Sequence, residues 1–261
     1  MLFTLNRLVS SILLGVFLFS SPAVKASDVS STAYKDYPPF TTDRLPNGGF
    51  AIALAKESLK REGLNLKHSW KTWVRGLSEV ENSKTDITLP YFYTEEREQI
   101  FEYSKPFYSI PTRVYGLKGT VGVVSSVDDL VGKSICNPRG YANPKNLQML
   151  FDEGKATHRD PKNMELCLRL VQAKKVDYFI SSPEVTKDTI VKMNIPLDVF
   201  EEAGFDVHVN RLHVIISKSN PKAQKIIAAF NAGLDQMASD GSLKAMAEEY
   251  GLNTKFVDPL N

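Results

Sequence analysis

The stretch Asp86-Ile-Thr-Leu-Pro-Tyr-Phe-Tyr-Thr-Glu-Glu-Arg97 sets a guanidinium just beyond a short apolar run, a proline and consecutive aromatics. A guanidinium is a planar fork of N–H donors that matches a carboxylate with two parallel hydrogen bonds. Thr94 reads as a helix cap whose hydroxyl accepts an exposed backbone N–H, and Glu95 and Glu96 follow where the helix dipole favours negative charge. Arg97 therefore falls in the first turn of a helix that leaves a buried strand, at the strand end where α/β folds collect ligands. It is a candidate carboxylate anchor; the plainer alternative is an Arg paired with a neighbouring Glu on a solvated helix face.

Tyr91 and Phe92 lie beside Arg97, Tyr37 is stiffened by Pro38 and Pro39, and Trp73 opens a short helix; from spacing alone such aromatics are more often core than pocket. Gly140 and Tyr141 precede Asn143 and Pro144, a cap and a first helical residue, so the loop at Gly140 lies beside helical N–H groups that can face an anion. Ser182 and Glu184 follow the apolar strand 175–181. Glu184 is the candidate general acid of an alternative, enzymatic reading. Against that reading stand the lack of a nucleophile with a partnered base and of paired carboxylates at the cleft. His68, His158, His208 and His213 are scattered without metal spacing, so neither a metal, a cofactor nor a catalytic residue is expected.

These residues need elements to hold them. After Tyr37–Phe40 comes the turn Asn47-Gly48-Gly49, then a helix over 50–61 with Ile52, Ala55 and Leu59 on one face and Gly63 ending it. Pro111 marks a change from lobe to connector, and 113–117 reads as a new strand. A helix-like segment 127–131, a strand 133–137 and a helix opened at Asp160-Pro161, with Met164, Leu168 and Val171 inward, continue the alternation. The chain crosses back near 207–213, forms a strand over 214–217, and ends in helices carrying Ile226, Phe230, Leu234 and Met237, then Leu243, Met246 and Tyr250. Two alternating sets, one inserted in the other, predict an α/β chain of two lobes joined by two crossovers with a cleft between them. Lobe one takes 27–110 and 213–261, and lobe two takes 111–212.

Thr94-x-x-Arg97, followed by Phe101-x-Tyr103-Ser104-x-Pro106-Phe107-Tyr108, resembles the bacterial extracellular solute-binding proteins of family 3. Tyr37-x-Pro39-Phe40, the turn and Gly49-Phe50 resemble the same family, and the likeness spans about 33–251. It implies the type II periplasmic-binding-protein fold and capture of a small, carboxylate-bearing ligand, delivered to an inner-membrane ABC permease or to a receptor. The residues it implies at the ligand are Tyr37, Trp73, Tyr91, Phe92, Arg97, Gly140, Tyr141, Ser182 and Glu184. The chain also departs from the family. Aromatics replace Gly and Ser at 91–93, the Gly140 loop lacks the family's hydroxyls, and Ser182 stands where amino-acid binders commonly carry an Asp for the ligand ammonium. Glu184 is the candidate substitute. A periplasmic dehydratase on the same scaffold is the enzymatic alternative.

Residues 1–26 have Arg7, the apolar run 12–19 and Val24-Lys25-Ala26, which reads as a secretory signal cleaved near Ala26 and places the mature chain in the periplasm of a double-membraned bacterium. Its removal takes away Arg7 and Lys25 and no acid, so 32 basic residues become 30 against 30 acidic ones, a net charge of zero. That balance gives no support for nucleic acid or anionic membrane as partner, and a monomer is expected. Cys136 and Cys167 in an exported chain can pair as a disulfide; the alternative is two buried thiols.

Overall fold

The computed structural model describes residues 27–258 apart from 123, and the expected signal segment lies outside them. The first elements are β1 (Ser27–Ala33), β2 (Asp36–Tyr37), β3 (Thr41–Thr42), α1 (Phe50–Arg61), β4 (Leu64–Trp70), α2 (Trp73–Glu81), β5 (Ile87–Phe92), α3 (Glu95–Ile100) and β6 (Phe101–Tyr103). The long β7 (Tyr108–Leu117) leads to β8 (Ser134–Cys136), α4 (Lys145–Asp152), β9 (Thr157–Arg159), α5 (Met164–Gln172), β10 (Tyr178–Ser181) and α6 (Pro183–Lys192). The longer β11 (Phe200–Ser217) returns, and α7 (Ala223–Ser239) and α8 (Ser242–Glu249) follow.

The principal sheet runs β4-β1-β5-β11-β7-β10-β8-β9, with β6 also on β11. β1 pairs in parallel with β4 and β5, and β8 in parallel with β10 and β9. Between these parallel sets lies one antiparallel ribbon, β7 with β11, from Phe200↔Leu117 to Leu212↔Tyr108. The last part of β11 joins β5 through Leu212↔Phe92 and His213↔Tyr91, and the far end of β7 joins β10 through Phe179↔Tyr115. Each half is thus an α/β sheet, and the ribbon passes through both.

Local chemistry explains the elements. α1 buries Phe50, Ile52, Leu54, Ala55 and Leu59. It packs on α7 at Gly233, where an added Cβ would lie 2.0 Å from the Ser58 carbonyl oxygen, so only a glycine lets the helices approach. β5 is buried along most of its length, and Asp86 fixes its start. The Asp86 carboxylate accepts from Ser30 N–H and hydroxyl at 2.9 and 2.8 Å, from Asn220 at 3.2 Å and from Lys222 at 2.8 Å. Burial opposes its charged form, and the bonds from Lys222, Ser30 and Asn220 outweigh that, holding its pKa below the usual 3.8.

Two helix starts differ from the sequence expectation. α4 begins after Pro144, which keeps extended backbone at ψ 140°. Asn143 does not cap it, because its amide bonds Asn137 and Gln148, both at 2.8 Å. α5 begins after Asn163, whose side chain accepts from Leu166 N–H at 3.1 Å, while Asp160 pairs with Arg139 at 3.2 Å. In both cases a side chain that could cap has a stronger claim elsewhere.

Cys136 on β8 and Cys167 on α5 form a disulfide across a separation of 31 residues. Both are buried in the main core, so the bridge ties helix to sheet where the two already pack. Closing a loop of that length restricts the unfolded chain by about 3–4 kcal/mol in the chain-entropy model. Replacing both cysteines by serine is expected to lower stability by about that amount or more, read as a fall in the urea midpoint. Asp86→Asn is expected to cost about 1–3 kcal/mol near neutral pH. A carboxylate with a depressed folded pKa stabilises above its unfolded value and loses that contribution as pH falls through the folded one. The gap between parent and Asp86→Asn in denaturant titrations should therefore close below pH 3.8.

Candidate functional site

The carboxyl end of β5 delivers Tyr91, Phe92 and then Thr94, whose hydroxyl accepts the Arg97 N–H at 3.2 Å and starts α3. That cap points the Arg97 side chain back over the strand end. One guanidinium nitrogen donates to the Phe92 carbonyl at 3.3 Å and another to the Gly140 carbonyl at 3.4 Å, so Arg97 reaches across to the loop between β8 and α4. Its carbon lies 4.9 Å from the centre of the Tyr91 ring, a cation–π contact. Among the described residues no acidic side chain is in ion-pair range of Arg97. Its charge is met by two long bonds to neutral carbonyls and by a ring face.

Aromatic edges and faces build the walls. Trp73 meets Tyr37, Tyr91 and Tyr141 nearly at right angles, with centroids 5.7, 5.3 and 6.0 Å apart, and Tyr37 meets Tyr141 at 5.7 Å and 81°. Edge-to-face packing of this kind sets the positive rim of one ring against the negative face of the next. The Tyr91 hydroxyl donates to the Trp73 carbonyl at 3.0 Å, which fixes α2 against β5. The Trp73 indole N–H and the Tyr141 hydroxyl are buried without an aligned hydrogen-bond partner in the chain. Burial pushes the phenols of Tyr37, Tyr91 and Tyr141 well up, so they are neutral donors at physiological pH. Arg97 partly offsets that rise for Tyr91.

Together Tyr37, Trp73, Tyr91, Phe92, Arg97, Gly140 and Tyr141 line one cavity, with Pro90, Ala142 and Leu212. The cavity has a volume of about 30 Å³, and Tyr141 lines it from the second half of the chain. Ser182 and Glu184 are not on its wall. The Ser182 hydroxyl instead caps α6 by accepting the Val185 N–H at 3.3 Å. Glu184 faces a neighbouring part of the same seam, where its charge adds to burial in raising Tyr37 and Tyr108. Pro90 lay inside the stretch that the sequence singles out, whereas Leu212 reaches the wall only because β11 pairs with Phe92, a pairing no local pattern announces.

The rim is bridged by ion pairs between the two halves: Lys145 with Glu95 at 2.7 Å, Arg44 with Asp188 at 2.6 Å and Lys192 with Asp36 at 2.7 Å. Gly140 sits at the closest approach. Its φ is +86°, and an added Cβ would lie 2.7 Å from Trp73 Cβ.

The model of the bacterial extracellular solute-binding proteins, family 3, matches residues 31–253. A probable amino-acid-binding protein of Bacillus subtilis, YxeM, is 26% identical over 211 residues, covering 77% of this chain and 75% of that protein. The L-cystine-binding protein TcyJ of Escherichia coli is 23% identical over 218 residues, covering 82% and 79%. Among solved structures, an ancestral arginine-binding protein bound to arginine superposes with a TM-score of 0.73 at 19% identity, covering 87% of this chain and 99% of that one. The fold is the two-lobed type II architecture of periplasmic binding proteins.

Gly140→Ala should weaken ligand binding more than it weakens the fold. Left-handed backbone costs a non-glycine residue about 1–2 kcal/mol, and the contact with Trp73 arises where the two halves meet. Calorimetry with ligand recovered from the purified protein is expected to show a loss of about tenfold or more. Unchanged affinity would show that Trp73 yields freely.

Proposed function

The chain belongs to the bacterial extracellular solute-binding proteins, family 3, and from that membership we propose that it captures a small carboxylate in the periplasm and presents it to an inner-membrane ABC permease. The relatives it matches are named for amino acids, which are carboxylates. In this reading residues 27–110 and 213–261 make the first lobe, 111–212 the second, and the β7–β11 ribbon is the hinge. Ligand meets Tyr37, Trp73, Tyr91, Phe92 and Arg97 on the first lobe, and the second closes with Gly140 and Tyr141. Closure follows from contacts made only in the closed state. In this reading the ligand leaves unchanged, as in a family named for binding solutes.

The observation that carries the carboxylate is the state of Arg97. A guanidinium at a helix start, between aromatic walls and with no acidic partner in range, is a charge waiting for an anion. Two carbonyl bonds at 3.3 and 3.4 Å are longer than charge-assisted bonds to a carboxylate, so exchange for a ligand acid group improves them.

Arg97→Ala is expected to cost about 2–5 kcal/mol of binding, roughly 30-fold to several thousand-fold in affinity, because it leaves the ligand acid unpaired. Arg97→Lys keeps the charge and loses the fork, so it should bind poorly as well. The measurement is calorimetry with the compound released from protein purified out of its own periplasm, using variants that melt like the parent. Normal binding by both variants would make Arg97 structural and remove the carboxylate reading with it.

A further inference from the structure

One face of α6 is a charged stripe. Glu184, Asp188 and Lys192 are spaced by four residues, so they lie one above the next along the helix. The outer two, Asp188 and Lys192, which lie farther from the cleft, have partners in the other half, on the β2–β3 hairpin and just after it. Asp188 receives Arg44 at 2.6 Å, and Lys192 donates to Asp36 at 2.7 Å. The third, Glu184, lies at the cleft end of the stripe beside Tyr37 and has no such partner. Its Oε2 is buried without a hydrogen bond from the chain.

Helix geometry accounts for part of this. Glu184 is in the first turn of α6, where the dipole favours a negative charge. The dipole does not supply a hydrogen bond, and a buried carboxylate oxygen without one is costly. Two more buried hydroxyls on flanking elements also lack partners. Thr41 sits opposite Tyr37 in the hairpin, and Ser181 ends β10, three residues ahead of Glu184. An ionised carboxylate offers acceptors only, and its unmet oxygen suits a cation that carries several N–H donors.

The acceptor set is separate from the Arg97 cavity. No acidic side chain lines that cavity, and Glu184 is not on its wall; the two regions share Tyr37. An α-ammonium stands two bonds from its own carboxylate carbon, so with the acid on Arg97 it would be buried among aromatic faces with no carboxylate to meet it.

Resting on the reading of Arg97 as the carboxylate anchor, we propose that Glu184 receives the distal cation of the ligand, and that the ligand class is ω-amino or ω-guanidino carboxylates. Glu184 is then a specificity-determining residue, and the ligand supplies the partner that Arg44 and Asp36 supply to the outer members of the stripe.

The test uses the mature protein and isomeric probes. δ-Aminovalerate carries its ammonium at the far end, norvaline carries it beside the carboxylate, and valerate has none; the γ- and ε-amino acids vary the length. Calorimetry is expected to show one of the ω-amino acids binding about thirtyfold or more tighter than norvaline and valerate. Glu184→Gln should remove that preference while melting near the parent, and Glu184→Asp should retain part of it. Equal or tighter binding of norvaline or valerate overturns the proposal, as does a preference that survives Glu184→Gln. If the probes bind without an ω-amino advantage but lose affinity in Arg97→Ala, only the Glu184 assignment falls. Binding indifferent to Arg97→Ala overturns the anchor reading too, and failure of every probe to bind overturns the assigned class.

Discussion

The antiparallel pairing of β7 with β11 is the constraint on which everything else rests. It is the strand pairing that joins the two halves of the sheet, and its register decides which residues face one another across the seam. At its middle, Asn210 donates to Thr112 at 2.8 Å inside a buried environment, so the crossing is held by a side-chain bond as well as by the ladder. Leu212 comes to lie against Phe92 on one side and Tyr108 on the other, which carries β5 and its terminal aromatics to the crossing. A shift by one residue would send alternate side chains of β11 to the opposite face and remove Leu212 from the cavity wall. The cavity wall therefore begins with backbone hydrogen bonds between strands.

Aromatic rings then convert that placement into a surface. Tyr37, Trp73, Tyr91 and Tyr141 come from four separate elements or loops, and each is oriented by the edge or face of another. Such rings have few torsions to freeze, so they give contact area at low entropic cost. Apolar walls also lower the local dielectric, which strengthens any pairing that Arg97 makes and raises the cost of leaving it unpaired. In the proposed reading, selectivity for an anion thus comes as much from what surrounds Arg97 as from the guanidinium itself.

The sequence made the local pieces legible. The helix over 50–61, the Thr94 cap and the aromatic run at 91–93 were readable because each depends on neighbours within one or two turns. Seven of the residues singled out line a single cavity. The misplaced starts of α4 and α5 share one cause, since Asn143 and Asp160 spend their side chains on Asn137, Gln148 and Arg139, partners that only the folded loop brings near. Ser182 was singled out by its match to the family's Asp; its hydroxyl caps α6, a role that its place at the helix start also signals. Leu212 and the stripe on α6 were invisible for another reason: their meaning lies in what the opposite half presents, and no spacing along the chain encodes that.

Charge balance across the seam explains how closure can depend on a ligand. The Lys145–Glu95 pair is exposed, at 77% and 69%, so it contributes about 0–1 kcal/mol, whereas Arg44–Asp188 and Lys192–Asp36 are half-buried and hold the halves in a set alignment. Deeper in, the balance reverses. Arg97 and Glu184 are both half-buried, and among the described residues neither has an opposite charge in ion-pair range. Closure without ligand therefore has to meet the desolvation of both, whereas rim pairing and aromatic contact favour it. A two-state cleft responds to ligand only through differential affinity for its closed form, and uncompensated charges buried on closing are a direct source of that difference. In the proposed cycle the aromatic walls and rim pairs favour the closed state, and the half-buried charges without partners make it depend on what lies between them.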